Sequence, residues 1–180
     1  MIRDARRALG RKDKRFSFEV FDCAKIPHKG CNFDLVIANH VLFYCEDIPA
    51  VCNEIQRVLV PGGKLICSTY GSHHMQEVSQ LVQDFDNRIV LSADRLYERF
   101  GRENGADILA PYFSDISWES YNDSLLVPDA EPLISYILSC HGNQNQYLLD
   151  KYTDFRGFVS RKTKDGFFIT KDAGIFLCEK

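Results

Sequence analysis

FDLVIANHVLFYCEDIPAVCNEIQRVLVPGGKLICST, residues 33–69, is the stretch that decides the fold. Leu35 to Ala38 is a short apolar run rich in branched residues, which predicts a strand buried on both of its faces. From Asp47 to Leu59 the apolar residues recur at helical spacing and predict a helix with one core-facing stripe. Pro61-Gly62-Gly63 ends that helix, because proline cannot continue it and glycine accepts a positive φ. Leu65 to Cys67 predicts a second strand.

Strand, helix and strand over this distance form a βαβ unit, in which the strands are parallel and the crossover is right-handed. Before this unit, Met1 to Leu9 predicts a short basic helix, and the alternation from Phe16 to Phe21 predicts a strand. After it, Ser72 is expected to cap a helix that runs to Phe85. The remaining predicted elements are short helices within 93–112, a strand over 113–127, helices over 131–139 and 147–161, and a hairpin over 166–178 that turns at 171–174.

The composition of the 180 residues fits one globular domain, since 45 % are hydrophobic and 26 % are charged. A net charge of −3 gives no reason to expect a nucleic-acid or anionic membrane partner. The seven cysteines contain no C-x-x-C pair and are predicted to be reduced and structural, which favours a cytoplasmic protein.

The ordered set of an FDLV strand, a helix that ends in R-V-L-V-P-G-G and a following strand resembles the middle of a class I S-adenosylmethionine-dependent methyltransferase of the type 11/25 kind. The resemblance implies a three-layer, Rossmann-like α/β sheet whose last strand is antiparallel. It also implies that residues 1–180 form a single partial domain, with 72–111 as a helical insertion or lid. The family's glycine-rich cofactor loop and its first two strands have no counterpart in this sequence.

Ligands of an open α/β sheet bind beyond the carboxyl ends of its strands, so the ends of the predicted strands carry the candidate residues. The resemblance places Asp22 where the family binds the adenine amino group, with the backbone N–H of Cys23 facing the ring. Without the family, Asp22 is a loop or cap aspartate. The resemblance also places Met1 beside the cofactor.

At the end of the Leu35 strand, the resemblance places Asn39, His40 and Val41 against the methionine part and the methyl group of the cofactor. His40 is either a general base, since an imidazole titrates near neutral pH, or a histidine that is satisfied at a strand end. Tyr44 either lines the same pocket or packs on the next helix.

His74 is a candidate substrate contact, because the run from Thr69 to Glu77 resembles a substrate-side segment of some small-molecule methyltransferases. The pair His73-His74 does not predict a metal site, since adjacent helical residues diverge by about 100° and no third ligand has suitable spacing. No catalytic residue is predicted, because the sulfonium is already an activated donor and catalysis consists mostly of alignment.

Two functions follow from the resemblance. The first is transfer of a methyl group from S-adenosylmethionine to a small molecule, and the second is a non-catalytic remnant that acts as a dimerisation or partner-binding module. Without the family's first strands, Leu35 to Ala38 would be an apolar sheet edge, which a second copy, a swapped segment or an upstream polypeptide is expected to cover. A flavodoxin-like nucleotide-binding domain shares the topology, but the sequence lacks a phosphate loop.

Overall fold

The computed structural model describes residues 2–9, 13–92 and 95–180, which form an α/β fold around one mixed sheet. Met1, one of the predicted cofactor contacts, lies outside the described residues. The strands are β1 (Phe33–Asn39), β2 (Leu59–Tyr70), β3 (Ser114–Val127) and β4 (Phe167–Glu179), in the order β1-β2-β4-β3. The α-helices are α1 (Ile2–Leu9), α2 (Ile48–Val58), α3 (Gln76–Phe85), α4 (Leu96–Arg99), α5 (Gly105–Leu109), α6 (Ala130–Ser139), α7 (Gln144–Leu148) and α8 (Tyr152–Thr163).

The predicted βαβ unit is confirmed, because β1 and β2 pair in parallel and α2 connects them. Asp47 begins α2 by accepting a hydrogen bond from the N–H of Ala50 at 2.9 Å, which satisfies a backbone donor that the first turn would otherwise leave unpaired. The helix ends at Val58 and β2 begins at the next residue, so Pro61-Gly62-Gly63 lies inside the strand, where the pairing with β1 shifts register. Gly62 in this irregular part of β2 has φ of +74°, which glycine tolerates without strain.

The prediction that β1 is buried on both faces is wrong. Val36 and Ala38 pack into the core, whereas Leu35 is 45 % exposed and Ile37 is 57 % exposed on the opposite face. β1 is the edge strand of the described sheet, as the sequence predicted.

Helices cover both faces of the sheet, which confirms the three-layer expectation. One core lies around α2 and α5 and includes Phe176 and Cys178 of β4. The other core lies around α3, α6 and α8 and includes Ile169 of the same strand. Since side chains alternate along a strand, residues 169 and 176 point to opposite faces.

The C-terminal hairpin prediction is wrong, because β4 is one continuous strand that runs through Lys171 to Gly174 and pairs antiparallel with both β2 and β3. Gly174 marks a close approach instead of a turn: a Cβ there would lie 2.6 Å from the ring of Trp118 on β3. The antiparallel character of the last strand is confirmed.

Two further local predictions are also wrong. Phe16 to Phe21 has no strand, and Val20 within it is 86 % exposed, since no neighbouring strand offers a ladder to this alternating stretch. Ser72 does not cap α3. Its N–H and hydroxyl both donate to Glu103, and the helix begins at Gln76 after Met75, which has φ of +56°.

Candidate functional site

The carboxyl ends of the parallel strands β1 and β2 meet at one edge of the sheet and are tied together by polar side chains. Asn39 pairs in register with Ser68, whose side chain is buried. The backbone N–H of His40 donates to Ser68 Oγ at 3.0 Å, and that hydroxyl approaches Asn39 Oδ1 at 3.4 Å. His40 has φ of +48°, in the left-handed region that non-glycine residues rarely occupy. The strand end is therefore a sharp, fixed turn, of the kind that often accompanies a binding site.

Four aromatic rings and two imidazoles gather at these strand ends, and we call them the aromatic cluster: His40, Phe43, Tyr44, Tyr70, His74 and Tyr97. The centroid of Phe43 lies 4.7 Å from that of Tyr44 and 5.5 Å from that of Tyr70. Tyr70 in turn lies 5.2 Å from His74 and 6.3 Å from Tyr97. Phe43 is buried and Tyr44 is 66 % exposed, so the cluster runs from the core to the surface.

The rings of the aromatic cluster come from several separate segments of the chain. The 3₁₀ turn Leu42–Tyr44 follows β1 directly and supplies two rings, while Tyr70 is the last residue of β2. Tyr97 lies on α4, which is held against the strand ends where Thr69 Oγ1 donates to the carbonyl of Phe100 at 2.7 Å.

A tight turn after β2 brings His74 back to Tyr70. The N–H of Gly71 donates to the carbonyl of Asp172 at 2.9 Å, and the N–H of His74 donates to the carbonyl of Gly71 at 3.2 Å. A Cβ at Gly71 would lie 2.3 Å from Asp172 Oδ2, so a side chain at this position would displace the Asp172 carboxylate. Glu77 then anchors the start of α3 to β4, since its carboxylate accepts from the N–H of Thr170 at 2.9 Å.

Burial changes the acid–base character of the aromatic cluster. The pKa of His74 is lowered by burial and by the nearby Lys171 ammonium, with Asp172 acting in the opposite direction, so the imidazole is neutral at pH 7. The pKa of Tyr70 is raised by burial and by the neighbouring hydroxyl groups of Tyr44 and Tyr97. The phenol therefore stays protonated and can donate a hydrogen bond.

The predicted pair Asp22 and Cys23 lies against the loop that follows the 3₁₀ turn. Asp22 Oδ1 accepts from the N–H of Ala24 at 2.9 Å, which is the turn contact expected of a loop aspartate. The Cys23 thiol interacts with that of Cys45, whose pKa is raised by burial and by this neighbour. The Asp22-Cys23 turn is thus on the same side of the molecule as the end of β1.

A pair of charged residues on α2, Glu54 and Arg57, anchors the segment that carries this turn. Glu54 Oε2 accepts from the N–H of Ile26 at 2.8 Å, and its carboxylate also binds the Arg57 guanidinium at 2.7 Å. Arg57 in turn donates to the carbonyls of Ile26 and His28. This anchoring fixes how the chain enters β1.

The structure brings five of the sequence-predicted residues together at the strand ends: Asn39, His40, Val41, Tyr44 and His74. Sequence reasoning missed Phe43, Tyr70 and Tyr97. The strand-end rule could have found Tyr70, because it ends β2 exactly as Asn39 ends β1. Within the described residues, no group of three or more His, Cys, Asp or Glu side chains is arranged to hold a metal ion.

A cavity of about 370 Å³ adjoins the turn after β2, between α3, β3 and β4. Arg102, Lys171 and Asp172 line it, and Arg102 Nη1 contacts Asp172 Oδ1 at 2.8 Å. Among the helices of residues 2–9, 13–92 and 95–180, none has both the length and the apolar character that crossing a membrane requires.

Comparisons with known proteins agree with this geometry. A family model described as "Methyltransferase domain" matches residues 1–67. The chain is 31 % identical over 71 residues to the Malonyl-[acyl-carrier protein] O-methyltransferase of Methylovorus sp., a match that covers 39 % of this chain and 24 % of the relative. It is 47 % identical over 45 residues to the Sterol 4-C-methyltransferase strm-1 of Caenorhabditis elegans, which covers 25 % of this chain and 14 % of the relative. The matched segments thus span about a quarter or less of these curated relatives.

The same fold occurs in a solved structure, that of a putative methyltransferase from Bacillus halodurans C-125, with a TM-score of 0.61 and 12 % identity. That match covers 99 % of this chain and 78 % of the other. At this identity the likeness concerns the fold alone.

Proposed function

We propose, from the premise that this chain belongs to the class I S-adenosylmethionine-dependent methyltransferases, that it carries residues of a site for direct methyl transfer to a small organic molecule. One observation carries the proposal: the carboxyl ends of two parallel strands joined by a crossover helix bear Asn39, His40 and the aromatic cluster. Ligands of open α/β sheets bind at this position.

S-adenosylmethionine would supply an electrophilic methyl group, which needs alignment more than side-chain chemistry. The residues proposed to hold it are Asn39, His40 and Val41 at the end of β1, together with the Asp22-Cys23 turn. Their fit is supported by the exposed strand end and by Asp22, which uses Oδ1 to hold its own turn and retains Oδ2 for an amino group. Met1 remains a prediction.

The methyl acceptor is proposed to be a small molecule that enters beside Tyr44 and His74. The relatives named above methylate oxygen in one case and carbon in another, so they do not select the acceptor atom. We propose that residues 72–111 form a lid over the acceptor, since this segment contributes both His74 and Tyr97 to the aromatic cluster. A cytoplasmic location without nucleic-acid or membrane partners remains a prediction from composition.

The second candidate function, a dimerisation or partner-binding module without catalysis, is favoured by the exposed edge. Leu35 and Ile37 present apolar side chains on a strand that has no neighbour on its outer side within the described sheet. Such an edge favours pairing with another chain, and we propose that a second copy covers it. In that case the wild type is a dimer by light scattering and Ile37→Lys is a monomer. A well-folded wild-type monomer in dilute buffer would rule the dimer out.

Calorimetric titration with S-adenosylhomocysteine distinguishes the two functions. Micromolar binding supports the enzyme, and loss of that binding in Asn39→Ala would locate it at the end of β1. Asn53→Ala, an exposed position on α2, is the matched control and should bind as the wild type does. A folded protein that gives no heat of binding would reject the methyltransferase site and leave the binding module.

A further inference from the structure

We infer that the cavity beside the turn after β2 binds the anionic group of a small molecule, either a carboxylate or a phosphate. Its wall comes from the start of α3, the segment before α5, β3 and β4, and the described residues proposed to hold the cofactor lie outside it. The inference therefore goes beyond methyl transfer and does not depend on it. A volume of about 370 Å³ lies in the range of small-molecule sites, so the cavity admits a molecule larger than the anionic group alone.

Arg102 offers guanidinium donors to the cavity, and Asp172 holds it in place. Arg102 Nη1 donates to Asp172 Oδ1 at 2.8 Å, while Nε and Nη2 have no partner within the described part of the chain. The other oxygen of Asp172, Oδ2, is buried against Gly71, so it is not open to the cavity. A guanidinium fixed in this way can bind a carboxylate or a phosphate through the two parallel N–H groups that remain.

Lys171 adds a positive charge that no neighbouring carboxylate neutralises. Its side chain is half-buried and lines the cavity, and none of the carboxylates in residues 2–9, 13–92 and 95–180 forms an ion pair with its ammonium. Asp123 lies opposite Lys171 in the β3–β4 ladder, but its carboxylate accepts from the N–H of Ser124 at 2.8 Å. The wall thus carries two cations and one carboxylate, and that carboxylate is already bound to Arg102.

Two further acceptors close to the cavity are also occupied. Gln76 Oε1 accepts from His73 Nδ1 at 3.0 Å, which leaves the amide N–H groups of Gln76 for a ligand. The Glu77 carboxylate accepts from the N–H of Thr170 at 2.9 Å with one oxygen and from the Thr170 hydroxyl with the other. The charged donors of the wall are therefore free while its carboxylate oxygens are bound or buried, and a group that complements such a wall is an anion.

The test is an NMR titration of the whole chain with inorganic phosphate and, separately, with acetate, at an ionic strength held constant with sodium chloride. The backbone amides of residues 120–122 and 170–173 are expected to shift and to saturate at millimolar anion, because charge-assisted hydrogen bonds at a partly exposed wall are individually weak. The basic helix α1 is the internal control for unspecific anion binding. Shifts confined to α1, or no saturable shift at the cavity up to about 50 mM of either anion, would overturn the inference.

Substitutions of lysine locate the site. Lys171→Gln should weaken anion binding about tenfold, because it removes one of the two cations of the wall. Lys171→Arg keeps the charge and should bind within about threefold of the wild type. Lys164→Gln is the matched control, since Lys164 is an exposed lysine at the end of α8 and does not line the cavity. Wild-type affinity in Lys171→Gln, or equal losses in the two glutamine variants, would contradict the inference.

The two anions distinguish the two sources of the anionic group. Tighter binding of phosphate indicates a phosphorylated ligand, and tighter binding of acetate indicates a carboxylic acid. A titration of the same sample with S-adenosylhomocysteine keeps the inference separate from the proposed function. Shifts at the end of β1 without anion binding at the cavity would retain the cofactor site and reject the anion site, whereas the reverse result would reject methyl transfer and retain the anion site.

Discussion

Replacing Phe176 by alanine tests whether the core beneath the strand ends holds the site together. Phe176 lies in the C-terminal half of β4, is 2 % exposed, and has its ring 4.7 Å from that of Trp118 and 5.9 Å from that of Phe100. The ring also fills the space left by Gly105, where a Cβ would lie 2.3 Å from it. No polar group is lost by the substitution, so its cost comes from lost burial and lost packing alone.

The expected cost follows from these contacts. A buried Phe→Ala substitution lowers the free energy of unfolding by about 3–5 kcal/mol, and the two ring pairs place Phe176 toward the upper end of that range. Domains of ordinary stability have about 5–15 kcal/mol in total, so the variant should unfold at much lower denaturant concentration. At this chain length, about 4 kcal/mol corresponds to a fall in Tm of roughly 8–16 °C.

Urea denaturation followed by circular dichroism measures the effect, with Phe168→Ala as the control. Phe168 lies on the same strand but is 54 % exposed, so its replacement should cost less than about 1 kcal/mol. A loss below about 1.5 kcal/mol for Phe176→Ala, or equal losses for the two variants, would refute the assignment of Phe176 to the packed core.

Three further predictions concern titratable groups. Hydrogen bonds from Arg57 lower the pKa of Glu54 to about 2, and a lowered carboxylate pKa stabilises the fold above the unfolded pKa of 4.5. The Tm difference between wild type and Glu54→Gln should therefore be full at pH 7 and shrink below pH 4.5; a constant difference would contradict this. The lowered pKa of His74 should appear as an NMR titration midpoint below 6.5. The contribution of His74 to folding stability should be complete above pH 6.5 and lost as the pH falls below that value. A midpoint at or above 6.5 would contradict the lowered pKa. Burial raises the pKa of Cys52 to about 12, so at pH 8 an aromatic disulfide reagent should modify exposed Cys31 in the native protein and Cys52 only after denaturation; rapid native labelling of Cys52 would contradict its burial.

The β1–α2–β2 unit could be predicted from sequence because everything that defines it is local. Asp47 caps the helix by accepting from the N–H of Ala50, the apolar stripe fixes which face packs, and Pro61 prevents the helix from continuing. None of these features depends on a residue from another segment. The burial of β1 does depend on residues from other segments. A strand is covered on both faces only if other elements pack on both, and the sequence of β1 alone does not show whether they do.

The predictions of a hairpin at Lys171 to Gly174 and of a strand at Phe16 to Phe21 were wrong because local sequence does not show which other segments lie nearby. Lys171 to Gly174 has the composition of a turn, but the glycine is needed where the Trp118 ring crosses β4. Phe16 to Phe21 has the alternation of a strand, but an isolated strand has no partner for its backbone hydrogen bonds. In the first case a tertiary contact overrode the local preference, and in the second case the local preference had no partner strand to satisfy it.

Some residues of the site could be located from the sequence, and others could not. Asn39, His40 and Tyr44 could be located because the end of a predictable strand is also predictable, and the same rule extends to Tyr70. Tyr97 could not be located, because its position depends on two ties between distant segments: Thr69 Oγ1 donates to the Phe100 carbonyl at 2.7 Å, and Arg99 donates to the Cys45 carbonyl at 2.6 Å. A side chain that bonds to a distant backbone carbonyl leaves no periodicity in the sequence. The aromatic cluster therefore becomes visible only when α4 is seen in place.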